Sequence, residues 1–253
     1  YIKIDATCRP TDNILEGLYF DVAPNGAPPQ IISQCQQWGF QRIMPFIDDC
    51  RAKCTWRTTI EASTAYTHLI SNGDVCKETN PNGIPEPLAD KPDRKRITYV
   101  NNIPMPPYLF VAAVGTWEEV SDFVILPNGR KVKLEYLVPP GKSNGAKLPL
   151  EILKAAVVWQ AKRLNYEYLR ECYLTICMEK SNFGGMENVG NTTIITEAAI
   201  IDKWTTDTRL VYANAVIVHE FEHNHCGSDV TMATPFDMWL NEAFTVNIER
   251  EYQ

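Results

Sequence analysis

The chain has 253 residues, 45% of them apolar and 22% charged, the make-up of a soluble globular protein with room for one large domain or two ordinary ones. No run approaches eighteen consecutive apolar residues, which excludes a membrane-spanning helix. A net charge of −7 with no basic stripe argues against nucleic acid as a partner.

From the start to about residue 130 the texture is that of β-structure. Short runs of β-branched and aromatic residues ("YIKI", "TWRTTIEAS", "ITYV", "YLFVAAVGTWEEV") alternate with turn signals such as "PNGAPP", "SNGD" and "NPNGIPEP". This predicts a sandwich of mostly antiparallel sheets over residues 1–130. The one dense basic run, "KPDRKR" at 91–96, reads as a solvated loop broken by Asp93. "LPNGRKVKLEYLV" predicts a hairpin turning at Asn128-Gly129, and a second domain is expected over 131–253.

In that second part Leu150, Leu153, Val157, Ala161 and Leu164 fall at helical spacing, predicting a helix over about 149–165. "CYLTICM" and "NTTIIT" read as buried strands. The segment "TTDTRLVYANAVIVHEFEHNHCG" predicts a helix capped within Thr205–Asp207 and closed by Gly227, with Leu210, Ala213, Ile217 and Phe221 as its packing stripe. "TPFDMWLNEAFTVNIEREY" predicts another, with Thr234 as N-cap, Pro235 at its first position and Asp237 as a capping-box acid. The fold class expected is therefore α+β.

Eight cysteines without a CxxC pair suggest reduced thiols in a cytoplasmic protein, although their spacing leaves disulfides open. Tyr1 in place of Met, and a helix still running at Gln253, suggest a chain cut at both ends.

The residues with the most chemistry lie in "HEFEH". Positions four apart on a helix differ by about 40° in direction, so His219 and His223 project from one face. Ile217 lies about 200° from His219, so the packing stripe is on the far side. Neutral imidazole suits Zn2+, and a catalytic zinc needs three protein ligands with one position open. Glu242 on the following helix can complete a His₂Glu set. Glu220, turned about 100° from His219, then stays free to act as general base on water. The plain alternative is a surface helix with histidines placed by chance, which the presence of Glu242 on a separate capped helix weakens. His225, about 240° around from His219, reads as a cap or surface residue. Glu249, two turns beyond Glu242, either orients a ligand histidine or is a solvated charge.

"HEFEH", eighteen intervening residues and Glu242 in "WLNEAFT", preceded by "FGGMEN" at 183–188, resemble the two signatures of the M1 zinc aminopeptidases, a gluzincin family. "LEGLYF" at 15–20, "SQCQQWGFQRIMPFIDD" at 33–49 and "PPYLFVAAVGTWE" at 106–118 resemble segments of that family's N-terminal domain. The resemblance covers nearly the whole chain. It implies an N-terminal β-sandwich followed by the first part of a thermolysin-like catalytic domain. It also implies one Zn2+ and peptide substrates with a free N-terminus.

Within the motif the resemblance implies that Glu187 anchors the substrate ammonium. Gly184 and Gly185 would let a substrate strand pair closely, and Met186 would wall the first side-chain pocket. Gln34 and Gln36 match positions reaching into the cleft. Many relatives carry a glutamate at the place of Gln36, and its neutrality resembles the leukotriene-A4-hydrolase branch. The family's transition-state tyrosine is expected beyond Gln253 and is assigned neither to Tyr212 nor to Tyr252, so this segment alone is expected to turn over poorly. "HNHCGSDVT" and Ala243 depart from the family's usual residues without removing a ligand. An epoxide-opening hydrolase and a catalytically silent peptide-binding relative are the competing expectations.

Overall fold

The computed structural model describes residues 2–253, which form two compact units. One runs to Thr116 and takes in Ala233–Pro235; the other comprises Trp117–Met232 and Phe236–Gln253.

The first unit is built from eight strands: β1 (Gly17–Asp21), β2 (Gln30–Gln34), β3 (Cys54–Ser63), β4 (His68–Ser71), β5 (Asp74–Val75), β6 (Glu86–Leu88), β7 (Lys91–Met105) and β8 (Ala112–Gly115). They make two sheets, β1-β2-β8-β4 and β3-β7-β5, with β6 also on β7, and every pairing is antiparallel. Leu69 and Val114 of one sheet meet Ala62, Ile97 and Tyr99 of the other in a shared apolar core, the sandwich the alternating pattern predicts.

Two local expectations fail. Ile2–Ile4 of "YIKI" lie outside any strand and are exposed, and Tyr1 lies outside the described residues. Residues 91–96 are not a loop but the start of β7. Glu61 on β3 stands opposite Arg96 in register and lies 2.8 Å from Arg96, 3.2 Å from Lys91 and 3.4 Å from Arg94. An acidic residue across the ladder lets a basic run pair as a strand, which composition alone cannot reveal.

The second unit opens with β9 (Glu118–Ile125) and β10 (Lys131–Val138), joined by the predicted turn, where Gly129 takes φ +85°. Because β9 pairs along its whole length with β10, it belongs to this sheet, and the division falls ahead of residue 130. There follow α1 (Lys147–Leu164), β11 (Cys172–Met178), β12 (Gly185–Met186), β13 (Asn191–Ile195), α2 (Thr196–Ala199), α3 (Asp207–Glu222) and α4 (Met238–Tyr252). The sheet order is β12-β13-β11-β10-β9, parallel through β10, β11 and β13 with antiparallel strands at both edges. Leu150, Leu153 and Val157 of α1 and Ile217 and Phe221 of α3 share one core with Val132, Leu134 and Tyr136 of the sheet.

Both site-bearing helices begin close to where their sequence signals stand. Thr206 caps α3, its hydroxyl accepting from the Arg209 amide at 3.4 Å. A 3-10 turn, Pro235–Asp237, precedes α4, which makes Asp237 the N-cap in place of Thr234. The eight cysteines are all free thiols.

Candidate metal centre

Helix α3 buries Ala213, Ile217 and Phe221, and the opposite side carries His219, with His223 one turn on at the helix's C-cap. Their Nε2 atoms lie 3.0 Å from each other. Glu242, in the first turns of α4, places Oε2 3.2 Å from His219 Nε2 and Oε1 3.6 Å from His223 Nε2. Among the described residues these three are the one group of His, Cys, Asp or Glu whose donor atoms gather tightly enough, within 4.8 Å, to share a cation.

The far side of each ring is also held. His219 Nδ1 lies 3.1 Å from Glu249 Oε2, and His223 Nδ1 lies 2.9 Å from the carbonyl of Cys226. A carboxylate and a carbonyl can only accept, so each Nδ1 donates and each Nε2 is turned inward. Thr245, also on α4, brings its hydroxyl to 3.3 Å from His223 Nδ1. Glu242, Thr245 and Glu249 lie three and four residues apart, so one face of α4 serves both histidines.

The charge balance calls for a cation. Burial alone would lower the His223 pKa, but Glu187, Glu242 and Glu220 outweigh it and push it up to about 10. His219 is raised in the same way against its burial, by Glu242 and Glu220. Burial would raise Glu242, yet hydrogen bonds from both histidines hold it well below the usual carboxylate range. Protons or a metal ion can supply that positive charge. Two imidazoles with Nε2 facing inward and a carboxylate form a donor set that suits zinc, so the residues fit the metal.

Glu220 leaves this triangle and lies buried beside it. Desolvation, strengthened by Glu187 and Glu242 and opposed by the two histidines, pushes its pKa up to about 7, and its Oε2 has no hydrogen-bond partner. Gly185 of β12 makes room for it: a Cβ there would run into the Glu220 carboxylate. A Cβ on Gly184 would stand 2.5 Å from Tyr212 Oη, so both glycines of "FGGMEN" are crossed by side chains of α3. Glu187, buried just beyond β12, makes its charge felt by both Glu220 and His223. Met186 is buried, and alternation carries it to the other face.

Strand β12 ends its sheet. Ile195 N–H donates to the Gly184 carbonyl at 3.0 Å, which makes Gly185 and Ile194 a non-hydrogen-bonded pair. The N–H and C=O of Gly185 therefore point away from β13, to the sheet edge.

Gln34 and Gln36 are in the first unit. Gln34 closes β2 opposite Gly17 and is buried; Gln36 lies two residues beyond the strand and is half-buried. His225 follows the end of α3, with Nδ1 3.1 Å from Glu222 Oε1, and is not part of the triangle. The helix stops at Glu222, ahead of Gly227, because the chain folds back: Ser228 N–H donates to the His223 carbonyl at 2.9 Å. Gly227 takes φ +147°, and a Cβ there would sit 2.8 Å from that carbonyl. Sequence reasoning missed Thr245, the Cys226 carbonyl and this role of Gly227. Only Thr245 carried a signal, its position between Glu242 and Glu249 on one helical face.

Comparison with known proteins adds the following. Residues 148–253 match the Peptidase family M1 domain. Over 246 residues the chain is 30% identical to aminopeptidase N of Caulobacter vibrioides, covering 97% of this chain and 26% of that protein. Over 254 residues it is 31% identical to aminopeptidase N of Haemophilus influenzae, covering 99% and 28%. The crystal structure of Legionella pneumophila aminopeptidase A in complex with aspartic acid superposes with a TM-score of 0.84 at 26% identity, over 94% of this chain and 27% of that one. The chain thus spans little more than a quarter of each relative.

Proposed function

We propose that residues 148–253, which match the Peptidase family M1 domain, carry the zinc-binding part of an aminopeptidase. The substrates are peptides with a free α-amino group, and the reaction is hydrolysis of the first peptide bond. The relatives named aminopeptidase N and aminopeptidase A support this reading. The observation that carries it is the meeting of His219, His223 and Glu242 beside a buried glutamate that is not one of the three.

His219, His223 and Glu242 hold one Zn2+. What the ion supplies is Lewis acidity, acidifying water and polarising a carbonyl oxygen. Glu220 is the general base. Buried beside the three donors and not one of them, its carboxylate can both take a proton and release it. Its unpartnered Oε2 accepts the proton of the attacking water and then delivers it to the departing nitrogen.

Glu187 supplies the register. A buried carboxylate beside the site attracts an ammonium far more strongly than one in water, so the cleaved bond falls one residue from the amino end. The outward N–H and C=O of Gly185 pair with the peptide backbone as an added strand. Glu249 and the Cys226 carbonyl keep the two imidazoles turned inward.

The test is Glu220→Gln in the natural full-length protein. The variant is expected to keep stoichiometric zinc and to lose at least about a hundredfold in kcat on aminoacyl substrates. Full turnover by that variant would remove Glu220 from the chemistry.

A further inference from the structure

We propose that His225 is a positioning residue of the metal centre: bonded to the buried Glu222, it fixes the loop whose Cys226 carbonyl orients the His223 ring. The proposal rests on the zinc reading above.

Glu222 lies in the last turn of α3, next to His223, and is completely buried. A carboxylate there loses its hydration, a cost that only its partners offset. Its Oε2 has no hydrogen-bond partner, and its Oε1 has the His225 ring, with Nδ1 3.1 Å away. A carboxylate only accepts, so Nδ1 carries the hydrogen. The ring is gripped from two further sides. Tyr166, two residues past the end of α1, leans on it with ring centroids 4.6 Å apart, and Phe244 of α4 meets it edge-on at 6.0 Å. Tyr166 also donates its hydroxyl to Asp229 Oδ2 at 2.7 Å and lies 3.2 Å from the Asn224 carbonyl.

These contacts seize a loop that is already closed on itself. Val230 N–H donates to the His225 carbonyl at 2.9 Å, and Gly227 N–H to the Val230 carbonyl at 3.0 Å. A loop so short and doubly bonded moves as one piece, and its anchors decide where the Cys226 carbonyl stands. That carbonyl is 2.9 Å from His223 Nδ1. Cys226 follows His225 directly, so releasing the His225 ring frees the very peptide unit that aims His223. Phe244 stands two residues beyond Glu242, so the same ring ties the loop to the helix of the third donor.

The test uses the natural full-length protein, freed of metal, with zinc as the probe and a chelator as competitor. His225→Phe alone would leave the Glu222 charge buried and unpaired. It is therefore combined with Glu222→Leu, which removes both partners together and keeps the packing. This double variant should melt near wild type yet bind zinc about tenfold more weakly, the scale of groups that orient a ligand. With Co2+ in place of zinc its visible absorption bands should shift, because the His223 ring meets the ion at a different angle. His225→Asn puts an amide N–H where Nδ1–H stands, and should keep both affinity and spectrum close to wild type. Wild-type affinity and spectrum in the double variant, or an equal loss in His225→Asn, overturns the proposal. A double variant that fails to fold makes the pair a fold determinant and overturns it as well. Failure of wild type to bind zinc overturns the zinc reading itself.

Discussion

Gly185 and Glu220 interlock: the carboxylate on α3 fills the space over β12 that any larger residue at 185 would claim. The candidate base and the sheet edge are therefore adjacent by construction, and one packing contact joins two sequence signatures thirty-odd residues apart.

Glu220 gives a pH prediction for the metal-free protein. Its folded pKa, about 7, is raised above the ordinary 4.5, chiefly by burial. Between those values the folded state holds more protons than the unfolded, so this group's effect on stability becomes unfavourable as pH rises through the window. Glu220→Gln removes the effect. Denaturant unfolding should show the variant gaining on wild type from pH 4.5 to 7, by on the order of a few kcal/mol, and level above that. A difference independent of pH would contradict burial of an ionisable Glu220 as its source.

Glu249 is expected to matter although it is not among the three donors. Its carboxylate accepts a hydrogen bond from His219 Nδ1–H at 3.1 Å. Glu249→Gln keeps the shape but loses the charge, and zinc affinity measured by competition with a chelator should drop about 10–100-fold. An unchanged affinity would make the residue an ordinary half-buried acid.

Gly227 is the hinge on which His223 depends. At φ +147°, with the His223 carbonyl in the path of any Cβ, Gly227→Ala is strained twice over. The expected cost is about 1–3 kcal/mol of unfolding free energy, together with weaker zinc binding because the Cys226 carbonyl shifts. Thermal melts with and without zinc check both.

The gathering of His219, His223 and Glu242 was legible in the sequence because helical spacing fixes His219 against His223 locally, and a helix a short connection away carries the candidate third donor. Glu249 was half legible: seven residues set its direction but not what it would meet. The Cys226 carbonyl was hidden, since a backbone atom has no letter and the fold-back at Gly227 depends on loop geometry. Non-local pairing hid the rest. Residues 91–96 read as a loop until Glu61 on β3 is placed across from them, and β9 reads as part of the first domain until its pairing with β10 is known. Thr234 looked like the cap of α4, but the 3-10 turn over Pro235–Asp237 moved that position along the chain.

The most direct measurement is zinc binding by the metal-free protein, by calorimetric titration with metal content confirmed on the purified material. The predicted result is one tightly bound ion per chain, a raised melting temperature on loading, and loss of both in His223→Ala and Glu242→Ala variants that still fold. Stoichiometric zinc retained with unaltered affinity in those variants would contradict the assignment of these side chains as its ligands.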